Sequence, residues 1–161
     1  MLSEGEHWSS WVRQWATDID TATRDMTATF EATYGYPAGV NEVRWATADD
    51  RTDAGPLAPM AGFYQVVAEV SLPDVGNGIF IHSAQSALAQ TEDPHGPVIG
   101  STGGGTQFVL DRDGRVHRSV GASLDGDFVP VADSVEQFLS RLRHAVTEFV
   151  RHNRIVDLDN G

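Results

Sequence analysis

The sequence of 161 residues predicts a single α+β domain, Met1–Gly161, in which a long N-terminal helix and a C-terminal helix pack against a mixed or antiparallel β-sheet. Two observations lead to this prediction. Apolar residues recur at helical spacing near both ends of the chain, whereas short β-rich segments bounded by turn residues fill the region between them. The length suits one domain with its own core and is short for two.

The first helix is predicted over Glu6–Tyr34, because apolar side chains recur there at steps of three and four residues. Gly35 and Pro37 are expected to end it. The apolar stripe consists of Trp8, Trp11, Trp15, Ile19, Ala22, Met26, Phe30 and Tyr34. Its three tryptophans are more typical of a core or an interface than of a ligand cage.

The last helix is predicted over residues 133–153. Either Asp133 or Ser134 serves as its N-cap, with Glu136 or Gln137 as the capping-box partner three residues later. The buried stripe is expected to consist of Phe138, Leu139, Leu142, Val146, Phe149 and Val150.

Short strands are predicted between the two helices, and the dipeptide Asp113-Gly114 between two of them predicts a β-hairpin. Met60–Val70 shows a helical pattern, although its valines leave a strand open, and Ser71–Gly78 is a connection by composition. Ser83–Thr91 is typical of one or two helical turns, and the acidic tail Ile155–Gly161 is expected to be loose. The predicted strands are a short one around Val43 and Trp45, then Ile79–His82, Val98–Gly100, Thr106–Asp111, Arg115–Val120 and Phe128–Val131.

The charge of the chain restricts its partners. Twenty-three acidic residues against 11 basic ones, all of them arginine, give a formal net charge of −12. Such a surface repels nucleic-acid backbones and acidic lipids and attracts basic proteins, or it serves only to keep the protein in solution. No apolar run approaches the roughly 18 residues of a membrane span, and the first residues lack a signal-peptide pattern, so a cytoplasmic location is expected. Because the chain has no cysteine, disulfides and cysteine zinc sites are excluded.

The glycine-rich stretch Gly100–Gly105 predicts a tight loop between strands rather than a phosphate-binding loop. A Walker loop needs a lysine and a following helix, and a dinucleotide-binding loop also opens a helix. The chain contains no lysine, and the β-rich Thr106–Asp111 follows the glycines. The structural glycines are Gly100, Gly103, Gly104 and Gly105, which are expected to allow positive φ angles or close approach of two backbones.

Other chemistry has little support in the sequence. No G-x-S-x-G motif is present, and sequence alone does not bring Ser101 or Ser119 to His82. Asp111-x-Asp113-Gly114 resembles the start of a calcium loop but lacks the further acidic ligands, so a hairpin turn is the preferred interpretation. We therefore predict no catalytic residue, no metal and no cofactor.

Two segments, Ile99–Val120 (IGSTGGGTQFVLDRDGRVHRSV) and Pro130–Leu142 (PVADSVEQFLSRL), together resemble the SMI1/KNR4-like domain, also called the SUKH superfamily. In that family a short strand, a Gly-rich loop and a strand ending in an acidic residue precede a Gly turn. A further strand and a terminal helix with an A-D-S-F-E-x-F-L type of start then follow. Here Ile99–Asp111 is similar to the loop and strand, Asp113–Val116 to the turn and Ala132–Leu139 to the helix start.

The resemblance covers Val98–Leu142, and Ser71–His82 is similar to the family's central segment. It implies a three-layered α+β domain around a mixed sheet that acts by binding other proteins. Many bacterial members look like immunity proteins that neutralise toxins of polymorphic or contact-dependent systems, often nucleases or deaminases, and others resemble regulatory scaffolds. The family brings no catalytic residues.

The resulting hypothesis is a non-catalytic immunity protein that captures a cognate toxin, without direct contact to nucleic acid or membrane. Trp45 is expected to anchor the partner. An acidic patch is expected to contain several of Asp49, Asp50, Asp53, Asp74, Asp125 and Asp127, with the alternative that these are merely solvated loop acids. Two alternatives stay open: a small hydrolase or nucleotide-binding enzyme that uses the Gly-rich loop, and an oligomeric scaffold or homodimer that uses the Trp-rich helix face.

Overall fold

The computed structural model describes residues 4–48, 55–89, 96–122, 126–156 and 158. Its first and last elements are long helices, α1 (Glu4–Tyr34) and α4 (Val135–His152). Two short helices lie between them, α2 (Ala61–Tyr64), which follows the 3₁₀ segment Gly55–Met60, and α3 (Ala84–Ala89). The strands are β1 (Glu42–Trp45), β2 (Val67–Leu72), β3 (Ile79–Ile81), β4 (Val98–Thr102), β5 (Gln107–Leu110), β6 (Val116–Ser119) and β7 (Phe128–Ala132).

The seven strands form one sheet in which each strand pairs antiparallel with the next along the chain. The α+β prediction is confirmed, and the sheet is antiparallel rather than mixed. This sequential order places β1 and β7 at opposite edges. Because neighbouring strands lie about 4.8 Å apart, the six steps between β1 and β7 separate these edges by about 29 Å.

Helices α1 and α4 pack side by side and run in the same direction. The indole Nε1–H of Trp15 donates a hydrogen bond to the Leu139 carbonyl oxygen at 2.6 Å. Nearer the C-terminal ends of both helices, the Tyr34 hydroxyl donates to Asn153 Oδ1 at 2.8 Å. The contacts follow the same order along both helices, so the pair is parallel. The first helix is confirmed and begins two residues earlier than predicted.

The three tryptophans of α1 pack against other residues of the same chain. Trp15 is buried and meets the Phe63 ring edge-on, with the ring centroids 5.6 Å apart. Trp8 and Trp11 stack at 5.1 Å and pack against the core, and the Arg143 guanidinium lies 5.3 Å from the centre of the Trp11 ring. None of the three is exposed, so the stripe belongs to the core.

A side-chain cap fixes the start of α4. Ser134 Oγ accepts a hydrogen bond from the Gln137 backbone N–H at 3.1 Å, and Gln137 Oε1 accepts one from the Asp133 N–H at 2.7 Å. The structure therefore selects Ser134 as N-cap and Gln137 as its partner. Asn153, in the left-handed conformation with φ of 52°, ends the helix and redirects the chain.

The structure differs from the sequence prediction in two places. The stretch Met60–Val70 is not one helix: a single turn, Ala61–Tyr64, is followed by β2, whose valines occupy buried sheet positions. This strand also extends two residues into the predicted connection, to Leu72. The prediction that a loop begins at Gly100 is wrong for three residues, because β4 continues through Thr102 and only Gly103–Gly105 form the turn.

The glycines of this turn have unequal roles. A Cβ at Gly103 would lie 1.7 Å from the backbone oxygen of Asn77, in the adjacent β2–β3 turn, so only glycine fits there. The Gly103 N–H donates to the Gly78 carbonyl oxygen at 3.2 Å and joins the two turns. At Gly104 the nearest atom to an added Cβ is Thr102 Oγ1 at 3.8 Å, an ordinary contact. The two turns meet through Gly103, whereas Gly104 has room for a side chain.

We expect Gly103→Ala to lower the free energy of unfolding by about 2–3 kcal/mol, because the new methyl group displaces the facing turn. Gly104→Ala, its neighbour in the same turn, should change it by less than about 0.5 kcal/mol. Urea unfolding of the two variants beside the wild type measures both values. Equal effects of the two substitutions would contradict this assignment.

Candidate functional site

A cavity of about 340 Å³ lies between one face of the sheet, the C-terminal half of α4 and the residues that follow it. We call it the Arg118 cavity. It is lined by Val75, Gly76, Asn77, Gly78, Ile79, Thr102, Gly104, Thr106, Phe108, Arg118, Ala145, Phe149, Ile155, Val156 and Leu158. Its volume is within the range of about 300–1,000 Å³ that is typical of small-molecule sites.

Strand register brings the sheet residues of this cavity together. Directly opposed residues of antiparallel strands project to the same side. Gly100 opposes Phe108, which in turn opposes Arg118. Thr102 lies two residues beyond Gly100 on β4, so Thr102, Phe108 and Arg118 share one face. It is the core face, where Phe108 packs against Phe138 of α4 at a centroid distance of 5.2 Å.

The walls combine apolar surface with a few polar groups. Aliphatic and aromatic side chains supply most of the lining, and Asn77, Thr102 and Thr106 add hydrogen-bonding groups. Arg118 is the one ionisable side chain among the described lining residues. Its Nη1 donates to the Ser119 carbonyl oxygen at 3.3 Å. A guanidinium keeps its charge at all physiological pH values, so the cavity carries a permanent positive charge in its wall.

Sequence reasoning missed this cavity, although one signal was present. In β6 the residues alternate between the two faces of the sheet, and Arg118 has the same parity as the buried Val116. A charged residue on the buried face of a strand indicates a polar site or a buried ion pair. The Gly-rich turn predicted as purely structural also borders the cavity, through Gly104.

Two residues of the predicted partner surface, Trp45 and Asp127, lie far apart in the sheet. Trp45 is 43% exposed at the end of edge strand β1, whereas Asp127 is exposed just before β7, at the opposite edge about 29 Å away across the sheet. The structure thus places Trp45 and Asp127 at opposite edges of the sheet. The remaining predicted acids Asp49, Asp50, Asp53 and Asp125 lie outside the described residues.

Asp74 has a structural role in the fold. Its Oδ2 accepts hydrogen bonds from the Gly39 N–H and from Asn41 Nδ2, both at 2.7 Å. The Asp74 N–H in turn donates to Asn41 Oδ1 at 3.1 Å. These bonds fix the segment before β1 onto the β2–β3 turn. They lie at the end of β1 away from Trp45, since Glu42 rather than Trp45 opposes the last residues of β2.

The structure brings Ser101 and His82 into contact. His82 Nε2 lies 2.9 Å from Ser101 Oγ, and its Nδ1 lies 3.3 Å from the Val98 carbonyl oxygen. Since a carbonyl only accepts, we assign the proton to Nδ1, and Nε2 then accepts from the serine hydroxyl. Burial lowers the pKa of His82 below its ordinary value of 6.5, although the Val98 carbonyl and the Glu69 carboxylate oppose the shift. The imidazole is therefore neutral at pH 7.

Ser101 and His82 are in contact as a nucleophile and a base would be, but the backbone N–H groups that follow Ser101 make other hydrogen bonds. An acyl-transfer site needs backbone N–H groups that are available to a developing oxyanion. After Ser101, the Thr102 N–H donates to the Thr106 carbonyl at 3.0 Å, and the Gly103 N–H bonds to Gly78. Ser101 also opposes Phe80, on the sheet face away from the Arg118 cavity. The two backbone N–H groups that follow Ser101 are therefore already engaged within the sheet and its turns.

The hairpin between β5 and β6 is held by Asp111. Its Oδ1 accepts from the backbone N–H groups of Asp113 and Arg115 at 2.9 and 3.0 Å, and its Oδ2 lies 2.9 Å from His117 Nε2. Burial raises the pKa of Asp111, but these hydrogen bonds outweigh it and leave the pKa below its ordinary value. Both carboxylate oxygens thus stabilise the hairpin that the sequence predicted. In the described parts of the chain no three acidic or histidine side chains are grouped to hold a metal ion.

Comparisons with known proteins found no match: no protein-family model, curated protein or solved structure matches the chain. The resemblance to SMI1/KNR4-like domains thus stays a prediction that rests on the sequence segments quoted above. Of the helices described, none has both the length and the apolar character needed to cross a membrane.

The low pKa of His82 predicts an acid-sensitive fold. Below pH 6.5 the unfolded chain binds a proton on His82 that the folded chain binds only at lower pH, so the free energy of unfolding falls as the pH drops through this interval. Above pH 6.5 the contribution is constant. Urea unfolding between pH 5 and 8 should show a smaller loss for His82→Gln, which keeps a partner for Ser101. An identical pH dependence in both proteins would contradict the prediction.

The engaged amides after Ser101 predict that this serine is not a reactive nucleophile. A fluorophosphonate probe should leave Ser101 unlabelled, and wild type and Ser101→Ala should give the same result by intact-protein mass spectrometry. Covalent labelling that disappears in Ser101→Ala would instead establish a serine hydrolase.

Proposed function

We propose that this chain is a non-catalytic binding domain that captures a basic protein through the edge strand β1. The observation that carries the proposal is Trp45, a large aromatic side chain that is 43% exposed on the last residue of an edge strand, in a chain of net charge −12. In keeping with the sequence resemblance, the partner proposed is a cognate toxin, and the domain acts as its immunity protein.

The two edges of the sheet are unequal. Strand β7 carries Pro130 at its centre, exposed, and proline has no N–H to offer an added strand. Strand β1 contains no proline, and no strand of the described chain pairs with its outer side. An unpaired edge of this kind can accept an extended segment of a partner by main-chain hydrogen bonding. Strand addition is therefore favoured at β1.

The residues around β1 suit an anchored contact. Val40, just before the strand, is 73% exposed, and Trp45 is the last residue of the strand, so exposed apolar side chains lie at both ends of β1. Buried tryptophans are among the side chains that dominate binding energy at protein interfaces. A β-bulge shifts the register between Arg44 and Trp45, and beyond it Trp45 opposes Val67 of β2. The tryptophan is 43% exposed at this position, which makes it available to a partner.

The charge of the chain supports the choice of a basic partner. A net charge of −12 raises the rate of encounter with a positively charged protein, by about 10–10³-fold in steered associations at low salt. The same charge disfavours direct binding to nucleic acid. A nuclease or deaminase toxin has a basic surface because it binds nucleic acid, and neutralising it requires rapid capture. A cytoplasmic location belongs to this proposal, and a chain without cysteine is compatible with it.

The test uses the product of the neighbouring gene as the candidate partner. Isothermal titration calorimetry should show a complex that Trp45→Ala weakens by at least about tenfold, because truncation removes the anchor. The affinity should also fall as sodium chloride rises from about 50 to 300 mM, since screening weakens the attraction of opposite charges. In a growth assay, wild type should protect cells that express the toxin, and Trp45→Ala should protect less.

Tyr36→Ala provides the matched control, since Tyr36 is also an exposed aromatic residue, 57% accessible, but lies before β1 and beside Phe30. It should bind as the wild type does. Unchanged binding by Trp45→Ala would exclude the β1 interface. The absence of any complex, with no protection of cells, would exclude the immunity function itself.

A further inference from the structure

Strand β1 has a charge pattern that is complementary to itself. Its residues are Glu42, Val43, Arg44 and Trp45, so an acidic and a basic residue lie on either side of one valine. Glu42 and Arg44 are exposed and Val43 is buried. Because side chains alternate along a strand, the two charged residues project from one face of the sheet and Val43 from the other.

The outer side of β1 is a regular strand edge. The pairing passes from Arg44 opposite Glu69 to Trp45 opposite Val67, so the extra residue of the bulge is Ala68 of β2 and not a residue of β1. Within the part of the chain that the structure describes, no strand pairs with this outer side. An edge of this kind is a template for a further antiparallel strand.

A second copy of the chain can add to this edge about a two-fold axis perpendicular to the sheet. Opposed residues must project to the same face of the joined sheet, so the axis passes through a residue of β1. An axis at Glu42 or at Arg44 places like charges directly opposite each other, which is destabilising. An axis at Trp45 pairs the strand with residues beyond its end. An axis at Val43 places Glu42 of each copy opposite Arg44 of the other.

Arg44 can take part while it keeps its contacts within its own chain. Its Nε lies 3.7 Å from Glu69 Oε1, and the side chains of Arg44 and Glu69 are 43% and 45% exposed. A guanidinium has five N–H donors, so it can bind the carboxylate of a neighbouring strand on each side. Glu69, Arg44 and Glu42 of the second copy then form a row of alternating charge across the joined sheet.

The same arrangement covers apolar surface at both ends of β1. Val40 and Trp45 are 73% and 43% exposed. In an antiparallel pair centred on Val43, Val40 of one copy and Trp45 of the other come to the same end. Removing these side chains from water stabilises the pair.

We propose that two copies of this chain associate through β1 in antiparallel register, with Val43 on the two-fold axis and Glu42 of each copy facing Arg44 of the other. A strand of four residues makes a small interface, so the dimer is weak and depends on concentration. The dimer covers the edge that is proposed to capture the toxin, and one copy cannot form both contacts at once. Only this exclusion rests on the toxin-binding proposal, since dimerisation needs the chain alone.

Sedimentation velocity of the purified chain tests the association. Up to a concentration of about 1 mM, the wild type should pass reversibly from monomer to dimer. The dimer should strengthen between about 50 and 300 mM sodium chloride, because salt screens the repulsion between two copies of net charge −12. This salt dependence is opposite to that of the toxin complex, which distinguishes the two associations. A wild type that stays monomeric over the whole range overturns the dimer.

Charge variants test the register. Glu42→Arg and Arg44→Glu should each weaken their own dimer at least about tenfold, because like charges then face each other. An equimolar mixture of the two variants should restore dimerisation, since opposite charges face each other again. Glu4→Arg and Arg13→Glu change the charge equally at exposed positions of α1 and should dimerise as the wild type does. A mixture that associates no better than its components overturns the register.

Single cysteines give a second measure of the register, because the chain contains none of its own. Opposed residues on the axis have Cβ atoms about 4.5–5.5 Å apart, close to the separation in a disulfide. Val43→Cys should therefore form a disulfide-linked dimer with oxidised glutathione, as seen on a non-reducing gel, whereas Glu42→Cys should form little. These variants decide if Arg44→Glu does not fold. Equal crosslinking of the two, or none by Val43→Cys, overturns the assignment.

Discussion

The hydrogen bond from the Trp15 indole to the Leu139 carbonyl oxygen joins the two ends of the chain, and the remaining architecture depends on it. The two residues are 124 positions apart, and both are buried. Trp15 also meets Phe63 of α2, so one side chain connects three helices. With α4 fixed against α1, the C-terminal half of α4 is held over the sheet, where it completes the Arg118 cavity. The tail that follows α4 is positioned by the same contact.

The sheet imposes a second constraint, because every strand pairs with its neighbour in sequence. Such a meander has only two edges, and they occur at the first and the last strand. Pro130 protects one of them, and the other contains Trp45. The interior strands are paired on both sides, so they offer no open edge to a partner. The order of the strands thus separates the β1 edge, proposed above as the binding edge, from the Arg118 cavity, which lies on the core face nearer the middle of the sheet.

Much of the fold was predictable because its signals are local. The α1 stripe repeats over some thirty residues, so the 3.6-residue period is unambiguous, and Asp113-Gly114 specifies the hairpin by turn chemistry alone. Ambiguity arose where the signal was short. Val67 and Val70 fit a helix or a strand by spacing, and their pairing with β1, together with that of Val70 with β3, decides for the strand. At Gly100 the composition predicts a loop. The residue lies instead within β4, where the backbone oxygen of Phe80 leaves no room for a Cβ.

The candidate sites were less predictable because they depend on distances that sequence does not contain. Asp127 and Trp45 were joined in one patch from their placement in or near loops, yet the order of strands puts them at opposite edges. The Arg118 cavity arises from register across four strands and from the course of the tail after Asn153. Only the parity of Arg118 with Val116 indicated it in advance. The contact between Ser101 and His82 likewise follows from β3–β4 pairing rather than from any motif.

The meander also has a consequence for how the chain folds. The β2–β3, β4–β5 and β5–β6 hairpins close short loops, so they form at little cost in chain entropy. Docking of α1 on α4, by contrast, closes a loop of well over a hundred residues and gains its stability only once Trp15 is buried. Bringing α1 and α4 together therefore carries the larger loop-closure cost, which the burial of Trp15 and of the apolar faces of both helices must offset.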